Sequence, residues 1–122
     1  MASILLVEDD DQIRTMLKVL LLSSGHEVSE APNGRGVCDR HQQQRFDLVV
    51  TDLLMPDIEG LEVIMKLRSK DKDVRIIAMS EAEQPRADSY LRIAQKLGAQ
   101  RTLSKPFSNE EFLETVRLTL ES

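Results

Sequence analysis

Five short apolar runs alternate along the chain with segments of helical periodicity, and this alternation constrains the fold more than any other feature. Continuous apolar runs are typical of strands in a parallel sheet, because helices cover both faces of such a sheet. The alternation therefore predicts an α/β sandwich with a parallel sheet and helices on both faces. The strands are expected at residues 2–7, 27–29, 48–51, 74–79 and 100–103.

Capping and breaking residues set the expected limits of the helices. Gly25 and Gly98 suit the ends of the first and fourth helices, because glycine readily adopts the left-handed conformation at a helix C-terminus. Pro85 suits a first helical position, and Ser108 begins a capping-box sequence. The five helices are expected to begin near residues 11, 34, 59, 85 and 108.

Length, charge and the single cysteine restrict the class of protein. A chain of 122 residues suits one domain spanning 1–122. The net charge of −5, with no run rich in Lys and Arg, argues against binding to nucleic acid or to an anionic membrane surface. No apolar stretch has the length of a membrane span, no signal peptide is recognisable, and Cys38 has no internal disulfide partner. These features predict a cytoplasmic protein, and His26 and His41 are expected at its surface.

Polar side chains follow four of the five apolar runs. Ligands of open parallel sheets bind beyond the carboxyl ends of the strands, where the strand order reverses. If the strand order is 2-1-3-4-5, these side chains are expected to converge at one edge of the sheet. They belong to Glu8, Asp9, Asp10, Asp52, Ser80 and Lys105.

Clustered carboxylates at that edge need a compensating charge. Two like charges about 4 Å apart repel by roughly 4 kcal/mol at an effective dielectric constant of about 20. An oxygen donor set without His or Cys suits a hard cation such as Mg²⁺, which takes one or two carboxylates, waters and a phosphate. Together with the Lys105 ammonium and the Ser80 hydroxyl, these groups suit phosphoryl transfer to a carboxylate, with Asp52 as the nucleophile.

Each of these residues has a simpler interpretation when it is taken alone. Glu8 and Asp9 would then belong to the acidic N-terminus of a helix, which the helix dipole stabilises. Asp52 would be a turn residue, Ser80 a helix cap, and Lys105 a solvated surface charge. Their joint placement after separate strands favours the common site.

Four motifs occur in order along the chain. They are residues 4–10 (ILLVEDD), 46–56 (FDLVVTDLLMP, continuing through Gly60), 75–80 (RIIAMS) and 104–107 (SKPF). With these motifs, the chain resembles the receiver domains of CheY-like response regulators over essentially its whole length. The resemblance implies a flavodoxin-like fold with five parallel strands in the order 2-1-3-4-5.

The resemblance also implies a role for each matching position. Asp52 would be the phosphoacceptor, and Ser80 and Lys105 would bind the phosphoryl group. The Lys105–Pro106 peptide bond would be cis, as family members usually have it. A Mg²⁺ ion would be held by Glu8, Asp9, Asp52 and the backbone carbonyl of Leu54.

Three features depart from the family pattern. Glu81 stands where the family usually has a small residue, and its carboxylate is expected to slow phosphorylation or to repel the phosphodonor. The segment from Ser80 to Lys105 is a few residues longer than usual, which predicts an enlarged loop near residues 81–85. Thr102 stands where many receivers carry an aromatic output switch, and Tyr90 is a candidate substitute.

The resemblance implies a signalling module rather than an enzyme. A sensor histidine kinase or a phosphotransfer protein would phosphorylate Asp52, and the new charge would shift the face made by the fourth helix, fifth strand and fifth helix. With no output domain before the end at Ser122, the chain is expected to bind a downstream protein or to be part of a longer one. Receivers also often form homodimers through the output face.

One expectation concerns the lifetime of the phosphorylated state. Leu54, two positions after the acceptor, offers no side-chain hydrogen bond to an attacking water. Slow self-dephosphorylation is therefore expected, and a phospho-Asp52 half-life of only seconds in Mg²⁺ would contradict it.

Two alternatives stay open at this point. The first is a degenerate receiver that binds proteins without using phosphate, which Glu81 and Thr102 favour and the intact acceptor, metal and phosphoryl-binding positions oppose. The second is a phosphatase or phosphotransferase of the haloacid-dehalogenase kind, which also uses an Asp nucleophile and Mg²⁺ on a parallel sheet. Such enzymes carry a second Asp where this chain has Leu54, and no Gly-rich phosphate loop follows any predicted strand.

Overall fold

A computed structural model describes residues 1–53, 60–81 and 87–122. Its five strands form one parallel sheet in the order β2-β1-β3-β4-β5, as predicted. The strands are β1 Ser3–Val7, β2 Glu27–Ala31, β3 Leu48–Asp52, β4 Arg75–Glu81 and β5 Arg101–Lys105. The helices are α1 Asp11–Ser23, α2 Val37–Gln44, α3 Gly60–Lys70, α4 Ala87–Leu97 and α5 Asn109–Glu121. Within the described residues, none of the helices combines the length and the hydropathy that a bilayer crossing requires.

Each face of the sheet carries its own hydrophobic core, because alternate residues of a strand point to opposite faces. On one face the strands pack against α1 and α5, with Leu17 and Phe112 fully buried. On the other face they pack against α2, α3 and α4, through Val37, Ile64 and Leu91. Since apolar packing covers both faces, a cluster of charged side chains is tolerated only at an end of the sheet.

Several elements end or begin at other residues than predicted. β4 continues through Ser80 to Glu81 and β5 continues to Lys105, because Glu81 and Lys105 pair with each other in the β4–β5 ladder. α2 begins at Val37, later than predicted, because Gly36 adopts the left-handed conformation with φ 75° directly before it. The predicted start of α4 at residue 85 lies outside the described residues.

The surface prediction for His41 is wrong. Its side chain is only 3% exposed and stacks on Phe46 at the end of α2. The backbone N–H of Phe46 donates to Nδ1 over 3.1 Å, and Nε2 lies 2.7 Å from a carboxylate oxygen of Asp71. Both ring nitrogens therefore have partners, which makes burial of a polar ring tolerable.

Candidate functional site

Three carboxylates meet at the carboxyl end of the sheet. Glu8 directly follows β1, Asp9 comes next, and Asp52 is the last residue of β3. Because β1 and β3 are neighbours, one carboxylate oxygen from each of these residues lies within 4.8 Å of the other two. Glu8 and Asp52 are buried, whereas Asp9 is exposed. The structure thus brings together the three predicted side-chain ligands, with one of them open to solvent.

Lys105 places its ammonium group against two of these carboxylates. Its Nζ lies 2.6 Å from Oε1 of Glu8 and 3.2 Å from Oδ2 of Asp52. All three side chains are buried, and the Lys105–Pro106 peptide bond is cis, as the resemblance implied. Among the described residues, the site therefore holds three carboxylates, counting Asp9, against one ammonium group. It carries excess negative charge when all of them are ionised.

The environment of Glu8 favours its neutral form. Burial raises the pKa of Glu8 to about 7, with the charge of Asp52 adding to the effect and the hydrogen bond from Lys105 opposing it. Burial alone would lower the pKa of Lys105, but the hydrogen bond with Glu8 and the charges of both carboxylates raise it above its usual value. The ammonium group thus stays charged, while Glu8 is poised to exchange a proton near neutral pH.

Ser80 lies beside the end of the Asp52 strand. In the β3–β4 ladder Asp52 pairs with Met79, and Ser80 is the next residue of β4. Its Oγ is fully buried and has no hydrogen-bond partner within the described parts of the chain. An unsatisfied buried hydroxyl costs about 1–3 kcal/mol, so a ligand that accepts its hydrogen bond would recover this cost.

The donor set of the site fits a hard divalent cation. Glu8, Asp9 and Asp52 offer only oxygen atoms, and their negative charge exceeds the compensation from Lys105. Mg²⁺ prefers such ligands and retains several waters, which the exposed side of the site at Asp9 allows. The fourth predicted ligand, the carbonyl of Leu54, lies outside the described residues.

Asp10 serves the helix rather than the carboxylate cluster. Its backbone N–H donates to Oε2 of Glu8 over 3.1 Å. Its own Oδ1 accepts from the N–H groups of Gln12 and Ile13, at 2.9 and 3.0 Å, and so caps α1. An N-cap of this kind fixes the direction in which the chain enters the helix. Asp10 therefore positions the turn that carries the two neighbouring acids.

Gly60 contributes to the site in a way that chemical reasoning on the sequence missed. A Cβ atom at this position would lie 2.6 Å from Cα of Leu53 and would collide with the carbonyl oxygen of Asp52. The Gly60 N–H donates to the Leu53 carbonyl over 2.9 Å. The first turn of α3 thus rests directly on the backbone of Asp52 and Leu53, which only glycine permits. Its place at the end of the second motif was the only signal in the sequence.

Two residues depart from the family pattern in β4 and β5. Glu81 lies near the site, and Thr102 lies on the neighbouring helix face. Glu81 is partly exposed and lines a cavity of about 270 Å³ together with Lys105, Ile13 and Met16. Thr102 is half-buried in a groove between α4 and α5. The part of the predicted enlarged loop that follows Glu81 lies outside the described residues, and the roles of both side chains stay predictions.

Comparisons with known proteins agree with this geometry. The profile of the family described as response regulator receiver domain matches residues 4–117. The chemotaxis protein CheY of Bacillus subtilis is 33% identical over 118 residues, which cover 96% of this chain and 96% of that protein. The solved structure of the chemotaxis protein CheY4 of Vibrio cholerae superposes with a TM-score of 0.85 at 31% identity, covering 98% of each chain.

A further relative is much longer than this chain. The DNA-binding transcriptional regulator NtrC of Azospirillum brasilense is 36% identical over 121 residues. The match covers 99% of this chain but 24% of that protein. The matched segment is therefore almost a whole protein in one relative and about a quarter of the protein in another.

Proposed function

Because this chain belongs to the response regulator receiver domain family, we propose that it is a phosphorylation switch whose acceptor is Asp52. One observation carries the proposal: the buried Asp52 carboxylate lies within reach of two further carboxylates and 3.2 Å from the Lys105 ammonium. The cluster contains a nucleophile, a cation site and a fixed positive charge. These are the components that phosphoryl transfer to a carboxylate requires.

The phosphodonor is a phosphohistidine of a sensor histidine kinase or a phosphotransfer protein. A carboxylate oxygen of Asp52 attacks the phosphorus, so that an O–P bond forms and the P–N bond breaks. The electron pair of the broken bond stays on the imidazole nitrogen, which then takes up a proton. Lys105 pairs with a phosphoryl oxygen and offsets its charge.

Glu8, Asp9 and Asp52, with the Leu54 carbonyl, would hold Mg²⁺ in this reaction. Bound there, the ion supplies positive charge that offsets the charge on the phosphoryl oxygens during transfer. The excess negative charge of the three carboxylates and the oxygen-only donor set support this assignment.

The switch follows from the charge that phosphorylation adds, which is about −1.5 to −2 at neutral pH. The buried Ser80 hydroxyl has no partner within the described residues and turns toward the new phosphoryl oxygens. Lys105 belongs to β5, which is part of the face formed by α4, β5 and α5, and Ser80 belongs to the adjacent strand β4. Phosphorylation shifts the conformational equilibrium of this face. Thr102 lies on the face and is the position where the shift reaches a partner.

Family membership also supports proposals for the location of the protein, its partners and its self-association. The chain functions as a single receiver unit over residues 1–122 in the cytoplasm. It receives its phosphoryl group from a protein donor and passes the signal to a downstream protein. A homodimer through the face of α4, β5 and α5 is the proposed form of self-association, and neither nucleic acid nor a membrane is a proposed ligand.

Mass spectrometry after incubation with acetyl phosphate and Mg²⁺ tests the proposal. We expect a mass gain of one phosphoryl group, which chelation of Mg²⁺ prevents and which Asp52→Ala abolishes. Asp39→Ala, an exposed acid on α2, is the matched control and should leave the modification intact. A modification that persists in Asp52→Ala, or its absence from the unmodified sequence, would overturn the proposal. The latter result would favour the degenerate receiver, for which the complete acidic site provides no support.

A further inference from the structure

A side chain from the first turn of α1 holds the loop between β1 and α1, which carries Glu8 and Asp9. Arg14 is only 15% exposed and donates from Nη1 to the backbone carbonyl of Glu8 over 2.8 Å. Its Nη2 donates to Oδ1 of Asp11 over 2.7 Å. The guanidinium group therefore bridges the residue that leaves the sheet and the residue that begins α1.

Both backbone polar groups of Glu8 are thus fixed. Its N–H donates to the Ala31 carbonyl of β2 over 3.1 Å, and its carbonyl accepts from Arg14. The Glu8 residue is 1% exposed, so water does not replace a lost partner easily. Since the backbone at Glu8 is restrained from both sides, its carboxylate has little freedom to move away from Lys105 and Asp52.

Arg14 is itself held in place by a carboxylate of β2. Its Nε lies 3.3 Å from Oε1 of Glu30 in β2, and Lys18 approaches the other oxygen of the same carboxylate at 2.9 Å. The three directions in which Arg14 donates match the planar fork of a guanidinium group. A lysine would retain the charge but has one nitrogen atom, which cannot reach all three acceptors.

We infer that Arg14 is a positioning residue for the acidic site, which keeps Glu8 and Asp9 arranged to bind Mg²⁺ before the ion arrives. The inference rests on the proposed function of the site. Residues that orient metal ligands through hydrogen bonds typically change metal affinity by about 10- to 100-fold when they are replaced. The geometry assigns this effect to hydrogen bonding rather than to the charge of Arg14.

The experiment compares Arg14→Lys with Arg40→Lys, and both variants conserve charge. Arg40 also donates to a backbone carbonyl over 2.7 Å, but its acceptor is Glu30 of β2 rather than a residue of the acidic turn. We expect Arg14→Lys to weaken Mg²⁺ binding, measured by titration calorimetry, by about 10-fold. Arg40→Lys should bind the ion as the unmodified sequence does.

Hydrogen exchange in metal-free protein provides a readout that is independent of Mg²⁺ and of phosphorylation. In Arg14→Lys the Asp10 amide, which donates to Glu8, should exchange faster, whereas amides in the middle of β3 should not change. Faster exchange in both places would indicate a general loss of stability and would contradict a positioning role. Unchanged Mg²⁺ affinity in a folded Arg14→Lys protein would also overturn the inference.

A second variant covers the case in which Arg14→Lys does not fold. Glu30→Ala leaves Arg14 in place but removes the carboxylate that orients it, and should weaken Mg²⁺ binding several-fold, while Lys18→Met should not. Equal effects of these two variants would contradict the inference. If the unmodified sequence binds Mg²⁺ but is not phosphorylated, the proposed function fails while the positioning role of Arg14 is retained.

Discussion

At the scale of single residues, the carboxylates of Glu8 and Asp52 repel each other. Two carboxylates are buried within reach of each other and share one ammonium group. Burying charges is costly unless each is paired, and one route to relief is protonation of one of them. The other is a bound cation. A proton and a cation compete for the same carboxylate oxygens.

This competition predicts a titration of Glu8 near pH 7 in metal-free protein. The raised pKa means that the folded state binds more protons than the unfolded state between pH 4.5 and about 7. The contribution of Glu8 to the free energy of unfolding is therefore present below pH 4.5 and is lost as the pH rises through about 7. Carboxyl carbon shifts measured by NMR should show this midpoint, and Mg²⁺ should move it to lower pH.

A matched variant separates Glu8 from the other acids. The free energy of unfolding, measured by urea denaturation, should fall less between pH 4.5 and about 7 in Glu8→Gln, because the contribution of Glu8 is absent. Asp47→Asn, which changes an exposed acid before β3, should retain it. A Glu8 midpoint near 4.5 in metal-free protein would mean that burial does not govern this group.

At the scale of secondary-structure elements, the end of β3 and the start of α3 act as one unit. The Leu53 N–H donates to the Met79 carbonyl of β4, and the Leu53 carbonyl accepts from Gly60. The backbone that presents Asp52 is thus tied to β4 on one side and to α3 on the other. The position of α3 is therefore coupled to the position of Asp52.

Replacement of Gly60 should disturb Asp52 as well as the fold. The Cβ atom of Gly60→Ala meets backbone atoms of Asp52 and Leu53, which cannot rotate away as a side chain can. We expect a loss of about 1–3 kcal/mol in the free energy of unfolding, as for other overpacked sites. Phosphorylation by acetyl phosphate should also become slower.

The control for this change is Gly25→Ala at the end of α1. Gly25 has a φ of 89°, but a Cβ atom there would meet nothing within 4 Å. This variant should lose about 1–2 kcal/mol from backbone strain alone and should be phosphorylated at the normal rate. Equal phosphorylation rates in the two variants would show that α3 does not position Asp52.

At the scale of the whole molecule, the proposed Mg²⁺ site would link the free energy of unfolding to the concentration of the ion. A ligand that binds only the folded state raises the free energy of unfolding by RT ln(1 + [L]/Kd). We expect Mg²⁺ at 100 times its Kd to add about 2.7 kcal/mol, and thermal denaturation should show a higher Tm. Chelation should reverse the increase.

Two variants test whether the rise in Tm comes from Mg²⁺ binding at the acidic site. Asp9→Asn, which removes the exposed carboxylate of the cluster, should reduce the Mg²⁺-dependent rise in Tm. Asp39→Asn should leave the rise unchanged, because Asp39 is a surface residue of α2. An equal rise with a monovalent salt at the same ionic strength would indicate screening rather than binding.

The order of apolar runs along the sequence was sufficient to predict the parallel sheet, and the family resemblance supplied the strand order that places the polar residues at one edge. Such patterns depend on neighbours within a few positions, and the topology of parallel sheets allows few arrangements. For the same reason Asp52 and Lys105 could be assigned to one site before their distance was known.

Only the tertiary structure decided which groups pair and how strongly each is buried. Lys105 contacts Glu8 across 97 positions of the chain, and this contact, with burial, sets the proton affinity of Glu8. Three further contacts also depend on how the elements pack. Gly60 lies against the backbone of Asp52, Arg14 contacts the acidic turn, and His41 has buried partners. Local periodicity places a residue on an element and a face, but the distance between remote side chains depends on how the elements pack.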